Sequence, residues 1–311
     1  MRGEEIEALV VLERAGLIHQ GVLGWGSEGT VADLGDGTVA KVWSGRGLTD
    51  LGLLRDFYDA LHVARPIGLA VAMPHILDLR EVDGTLITIE ERLTGDPVWR
   101  ADGTSPALNV GIIDTMTEAL AAIAAVPGEP TLRTLPMLPN EPPLAANAPF
   151  QTELAALVAR RADRFESALR AALPDVDAVA TATVTALRGL PPATPSLVHG
   201  DLIAANVLAS GGHATAVLDF GFLSTTGDPA FDAAITASCF DMWGPSAADV
   251  EGELDRAFVP AFGHDHHRYS VYRAAYALTT ACCFGTDLSE GHFAWCMTML
   301  NRADVRDAVQ A

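Results

Sequence analysis

The stretch Leu197-Val198-His199-Gly200-Asp201-Leu202-Ile203-Ala204-Ala205-Asn206-Val207-Leu208, with Ala216-Val217-Leu218-Asp219-Phe220-Gly221 close behind, decides how this chain is read. Short apolar runs flank each polar group, so Asp201, Asn206 and Asp219 are expected on loops held between short strands. A single aspartate in such a place is ordinarily a turn former or a helix cap. The spaced set suits a different task. Phosphoryl transfer asks for an oriented hydroxyl, neutralised charge and Mg2+ bridging the phosphates, and little covalent help. Asp201 is placed to accept the hydroxyl proton. Asn206 and Asp219 offer the hard oxygen ligands that suit Mg2+.

A second signal lies more than a hundred residues upstream. Gly24-Trp25-Gly26-Ser27-Glu28-Gly29-Thr30-Val31 fits G-x-G-x-x-G-x-V between two expected strands. Backbone N–H groups at Gly24, Gly26, Ser27 and Gly29 can close over phosphates where no Cβ intervenes, with Val31 following on the strand. No helix opens directly after the glycines, which argues against a dinucleotide-binding turn. Ten residues beyond Val31 comes Val39-Ala40-Lys41. Lys41 is the only lysine in the chain, every other permanent cation being arginine. A compact ammonium at that point is what a phosphate-binding strand needs.

Together these residues resemble the catalytic loop and metal-binding segment of the aminoglycoside phosphotransferase family, which is similar in fold to protein kinases. The family's loop carries His-Gly-Asp, with asparagine five residues after the aspartate, where protein kinases carry His-Arg-Asp; this chain has the glycine. A protein kinase also needs a long activation segment ending in Ala-Pro-Glu, and here only Phe222 to Thr226 separates Asp-Phe-Gly from Gly227-Asp228-Pro229. The resemblance implies a buttressing role for His199 and a loop-tying role for Asp232. It implies a glutamate partner for Lys41 on the next helix, where this chain instead has Asp50, Asp56 and Asp59, of which Asp50 best fits the spacing. It assigns Glu91 and Leu93 to an inter-lobe hinge whose backbone holds adenine. One departure is Ala124, where the family often carries histidine.

The implied architecture is α+β: a bilobal protein-kinase-like fold with a β-rich N-lobe (residues 1–93) and a mostly helical C-lobe (residues 94–311). Local patterns agree. A helix is expected over Ile6–Ile18, strands near Gly21–Leu23, Thr30–Leu34 and Thr38–Trp43, an amphipathic helix over Leu48–His62, and strands near His75–Glu81 and Thr85–Glu91. Ser105-Pro106 is expected to open a helix reaching Val126. Residues 127–149, rich in proline, read as an irregular surface excursion. Helices are expected from Thr152 to Leu173, Val176 to Gly189, Phe231 to Phe240, Ala247 to Phe262 and Arg268 to Cys283.

Composition limits the partners. With 49% hydrophobic and 19% charged residues the chain is globular. A mean hydropathy of +0.23 comes from alanine and valine spread through helical patterns, and no apolar run reaches the ~18 residues of a membrane span. The N-terminus shows no secretory signal pattern, so the expected location is cytoplasmic. A net charge of −20 argues against a nucleic-acid partner; it suits a cationic substrate, with plain solubility as the alternative reading. Cys239, Cys282, Cys283 and Cys296 read as free buried thiols. His264-Asp265-His266-His267 reads as a loop or helix start. Trp243, Trp295, Tyr269, Tyr272 and Tyr276 read mostly as core, with one or two lining an acceptor pocket. Asp241, Glu251, Glu253, Asp287 and Glu290 read as solvated, with contact to substrate amines as the alternative. The reaction implied is ATP- and Mg2+-dependent phosphorylation of a small-molecule hydroxyl. An aminoglycoside or related aminocyclitol leads as acceptor, the layout being similar to hygromycin kinases; macrolides, sugars and choline-like alcohols are the alternatives, and a non-catalytic nucleotide-binding module the rival.

Overall fold

The computed structural model describes residues 3–26, 28–99, 107–289 and 291–311. Five strands come first: β1 (Gly21–Gly26), β2 (Gly29–Asp33), β3 (Thr38–Trp43), β4 (Ile76–Val82) and β5 (Thr85–Glu91). They form one antiparallel sheet in the order β1-β2-β3-β5-β4. Turn chemistry sets the register at two corners. Asp36 Oδ1 accepts from the Thr38 N–H at 3.0 Å, and Asp83 (φ 50°) with Gly84 (φ 80°) closes β4 onto β5 in the left-handed geometry of a two-residue hairpin.

Period-two alternation gives the sheet two faces. Ala32, Ala40, Val42 and Ile87 pack outward on Ala8 and Leu12 of α1 (Gly3–Arg14). Lys41, opposite Val31 on β2 and Thr88 on β5, falls on the inner face. The helix α2 (Leu48–Ala64) joins the main core through Leu51, Leu54, Phe57, Tyr58 and Leu61.

The rest is helical around three short ribbons. β6 (Asp96–Pro97), β8 (Val207–Ser210) and β9 (His213–Val217) form one, and β7 (Ser196–Val198) pairs with β10 (Thr225–Gly227). The segment around Ala72 also joins here: Ala72 N–H donates to Thr215 O at 2.8 Å and Val217 N–H to Ala72 O at 3.0 Å. Residues ahead of position 93 thus stitch the sheet half to the helical half. The helices are α3 (Val110–Ala124), α4 (Phe150–Arg164), α5 (Glu166–Ala172), α6 (Val176–Gly189), α7 (Pro229–Cys239), α8 (Ala247–Phe262), α9 (His266–Thr280), α10 (Gly291–Asn301) and α11 (Ala303–Gln310).

Three local expectations are corrected. α3 begins at Val110, because Asn109 Oδ1 accepts from the Ile112 N–H as its cap; Ser105 and Pro106 lie outside the described residues. The expected helix over 152–173 is two, broken at Phe165. The 127–149 excursion is no surface loop: Leu132, Leu135, Met137, Leu138 and Leu144 are buried in the main core. Arg133 clamps it, its guanidinium donating to Thr226 Oγ1 and O and to the carbonyls of Ala145 and Ala148. These bonds replace the backbone partners that irregular chain lacks.

Candidate active site

Strand β7 delivers its end to His199, and the loop that follows is built around that ring. The buried imidazole accepts from the Asp201 N–H at Nδ1 (3.2 Å) and donates from Nε2 to Leu218 O (2.7 Å). Burial lowers its pKa to about 4, so the neutral tautomer joins the Asp201 loop to the Asp219 loop. Its ring lies 4.4 Å from that of Phe220, which also meets Phe57 and Tyr58 of α2.

Asp232, in the first turn of α7, accepts from the His199 N–H (2.7 Å) and the Gly200 N–H (2.8 Å). Its complete burial raises its pKa to about 7 despite those donors. Both expected supporting roles therefore have geometry behind them. Gly200 sits at φ +86°, and a Cβ there would lie 2.5 Å from Phe222 O. Only glycine fits at that crossing of two loops. Ser224 Oγ closes the crossing by donating to His199 O at 2.6 Å and accepting from the Gly221 N–H at 2.8 Å.

Asn206 Nδ2 donates to Asp201 O at 2.9 Å, while Leu218 N–H donates to Asn206 O at 2.8 Å. The amide nitrogen is thereby committed to the loop, which leaves Oδ1 as the atom turned away from it. Asp219 follows at φ +62°, a left-handed backbone uncommon for aspartate. Such strain gathers at functional sites. Burial raises the Asp201 carboxyl to a pKa of about 6, with the charges of Asp219 and Glu28 adding to it.

Across from these loops stands Lys41. Its Nζ is 2.8 Å from Asp219 Oδ1 and 3.3 Å from Glu28 Oε2. Burial pushes its pKa down, but the two carboxylates more than offset this and the net shift is upward. Asp219, raised by burial, is held lower overall by Lys41. The expected partner, Asp50, is elsewhere: its Oδ2 accepts from the Gly47 N–H at 3.2 Å, serving the start of α2. In place of an acid, α2 turns Phe57 and Tyr58 toward the site. The acid comes from the glycine hairpin, as Glu28, whose Oε1 also meets the Arg46 guanidinium.

In that hairpin Gly24 pairs with Val31 and Gly26 with Gly29. Gly29, at φ +145°, is required by packing, since a Cβ would meet Val42 O at 2.0 Å; at Gly24 and Gly26 a Cβ meets no protein atom within 4 Å. Protein packing does not explain those two glycines. Ser27 lies outside the described residues. Glu91 and Leu93 stand where β5 leaves the sheet, with the Glu91 carboxylate 3.4 Å from His75 Nδ1.

Sequence reasoning gave no charge role to Glu28 in the glycine loop or to Glu90 beside the hinge, and missed Arg46. Glu90 receives the Thr88 hydroxyl at 2.6 Å, which in turn receives Trp43 Nε1–H at 2.9 Å. Burial raises its pKa. The period-two alternation of β5 was the available signal, because it puts Glu90 on the same face as Thr88 and Lys41.

Further along, Tyr269, Tyr272 and Tyr276 are core, while Trp243 is exposed. Glu251, expected in solvent, is instead buried between Arg273 (3.4 Å) and Arg302 (2.7 Å). Asp265 caps α9 by accepting from the Arg268 N–H. All four cysteines are free, Cys239 and Cys296 fully buried and the other pair half-buried. Among the described residues no helix is long and apolar enough to cross a membrane.

Known proteins match this arrangement. The profile of the phosphotransferase enzyme family (APH) matches residues 26–276. No curated protein matches the chain in sequence. A thermostable mutant of aminoglycoside phosphotransferase APH(4)-Ia, in ternary complex with AMP-PNP and hygromycin B, is similar in structure at TM-score 0.68 and 20% identity, over 95% of this chain and 96% of that one. The GDP complex of aminoglycoside 2'-phosphotransferase-IIIa follows at 0.64 and 16%, over 97% and 99%. The macrolide 2'-phosphotransferase MphH from Brachybacterium faecium follows at 0.59 and 19%, over 95% and 97%. At these identities the likeness is one of fold.

Proposed function

This chain belongs to the phosphotransferase enzyme family, and we propose that it is an ATP-dependent kinase of a small-molecule hydroxyl, with an aminoglycoside or related aminocyclitol as acceptor. The observation that carries the reading is the contact of Lys41 with Asp219, which brings a phosphate-binding cation and a metal-binding carboxylate to one point between the two halves. Residues 1–93 act as the nucleotide-covering lobe and 94–311 as the catalytic and acceptor lobe.

In this reading the hairpin of Gly24, Gly26, Ser27, Gly29 and Val31 covers the phosphates, Lys41 neutralises them, and the backbone at Glu91 and Leu93 holds the base. Asn206 Oδ1 and the Asp219 carboxylate hold Mg2+. Two hard oxygen donors suit an ion that completes its shell with phosphate and water, and no group of three or more His, Cys, Asp or Glu side chains placed for a metal occurs among the described residues. When bound, the ion neutralises charge on the transferred and leaving phosphates. Asp201 orients the acceptor hydroxyl and takes its proton as the new O–P bond forms and the bond to the ADP oxygen breaks, ADP keeping the electron pair. Its raised pKa makes it a better base than an ordinary carboxylate while leaving it ionised at neutral pH.

The acceptor class is supported by the net charge of −20, which attracts polyamines, and by fold likeness to an aminoglycoside phosphotransferase solved with hygromycin B. The test is a panel of hydroxyl compounds with Mg-ATP, following ADP release by the wild type and by Asp201→Asn. A compound that raises release in the wild type alone supports the reading; a panel in which none does overturns it. Thermal shift separates nucleotide binding from its absence, because a ligand at ~100 times its Kd adds about 2.7 kcal/mol.

A further inference from the structure

Glu28 is held as a ligand would be held. One carboxylate oxygen, Oε2, is 3.3 Å from Lys41 Nζ, and the other, Oε1, bonds to the Arg46 guanidinium. Both cations stand over the Trp43 ring, Lys41 Nζ at 3.9 Å and Arg46 Cζ at 5.9 Å from its centroid. Arg46 belongs to the short connection between β3 and α2, and it reaches across the cleft. Its Nη2 lies 3.5 Å from where a Cβ on Gly221 would stand, which puts the guanidinium in contact range of the loop that carries Asp219.

Two cations thus face two carboxylates at the point where nucleotide phosphates are proposed to lie. Lys41 is shared between Asp219 and Glu28, which leaves it a poor counter-charge for a triphosphate. A planar guanidinium presents paired donors that match phosphate oxygens. Glu28 spans the two cations with one oxygen each, as a phosphate group does. Its side chain is one-third exposed, so on release its charge passes to water and no buried ion is stranded.

We propose that Arg46 is a second phosphate-binding cation of this site, and that Glu28 is an internal anion which nucleotide phosphate displaces from Lys41 and Arg46. The inference rests on the nucleotide-binding reading above and gives Arg46 and Glu28 roles that the motifs did not.

The test measures binding of Mg-ATP and of adenosine to the full chain, by competition with a fluorescent nucleotide, for wild type, Arg46→Gln and Glu28→Gln. Arg46→Gln is expected to weaken ATP by about tenfold or more, the worth of a charge-assisted bond, and to leave adenosine within about twofold. Glu28→Gln is expected to tighten ATP several-fold with adenosine unchanged. The inference is overturned if Arg46→Gln binds ATP as the wild type does, if it weakens ATP and adenosine equally, or if Glu28→Gln weakens ATP. Should Arg46→Gln fail to fold, Glu28→Gln decides alone. A wild type that binds neither ligand overturns the nucleotide reading, and this inference with it; a wild type that binds both while the variants miss their expected pattern overturns only the inference.

Discussion

Lys41 Nζ, on the third strand of the N-terminal sheet, stands 2.8 Å from Asp219 Oδ1, 178 residues later in the chain. The contact joins the two halves at the place where the chemistry is proposed. It also makes each residue the main electrostatic determinant of the other: Lys41 lowers the Asp219 carboxyl, and Asp219 is the largest influence raising the Lys41 ammonium.

Lys41→Ala removes the cation that both Asp219 and Glu28 face. The expected outcome is loss of catalysis by about 100-fold or more, as for an interaction stronger in the transition state than in the ground state. Steady-state ADP release against ATP concentration checks it. Activity within a few-fold of wild type would remove Lys41 from the phosphate site.

The pH dependence follows from Asp201. Its pKa of about 6 means the base is lost to protonation as pH falls below 6, so kcat/KM should drop tenfold per unit there and level off above 7. A profile flat down to pH 5 would exclude Asp201 as the base. An acid limb that keeps its midpoint unshifted in an active Asp201→Glu variant would point to another group as well.

The same shift has a stability consequence of definite sign. The folded pKa of about 6 lies above the ordinary value of 3.8, so the fold disfavours the ionised form. The penalty is absent below the ordinary value, grows between the two, and is full at neutral pH. Asp201→Asn should therefore abolish transfer yet raise Tm at pH 7.5 by on the order of 5 °C, with the gain shrinking as pH falls to 4. Scanning calorimetry at the two pH values decides it.

Gly200→Ala places a methyl 2.5 Å from Phe222 O at φ +86°. Neither loop can yield, since Asp232 and Ser224 pin both sides. The expected cost is about 3 kcal/mol or more, combining overpacking with left-handed strain, read as a lower denaturation midpoint. A neutral substitution would contradict the described loop crossing.

Asp50→Ala separates a helix role from a nucleotide role. Losing the bond to the Gly47 N–H should cost about 0.5–1 kcal/mol of stability and leave the KM for ATP unchanged. A large rise in that KM would restore Asp50 to the phosphate site.

Much of the candidate site was legible because its groups are presented locally. Asp201, Asn206 and Asp219 lie on short loops between short strands, and Lys41 sits on a strand whose alternation marks its face. Asp50 misled for a reason of helix geometry: as the third residue of α2 its carboxylate folds back on its own N-terminus, while the buried stripe of Leu51, Leu54, Phe57, Tyr58 and Leu61 leaves no acid facing Lys41. The 127–149 segment misled because proline content outweighed its spaced leucines, which the fold buries.

The α+β layout and the two loops of the proposed chemistry could be read from the sequence, because turn chemistry and side-chain period act over a few residues. The need for glycine at 200 and 29 came from approaches of Phe222 O and Val42 O that only the fold brings about. Only the tertiary structure decided which charges meet. That Glu28 and Asp219, and not Asp50, neutralise Lys41, that Arg46 joins them, and that Arg133 anchors residues 127–149 depend on approaches across the cleft and across the core. Coulomb energy and desolvation vary with distance and burial, and no local pattern encodes either.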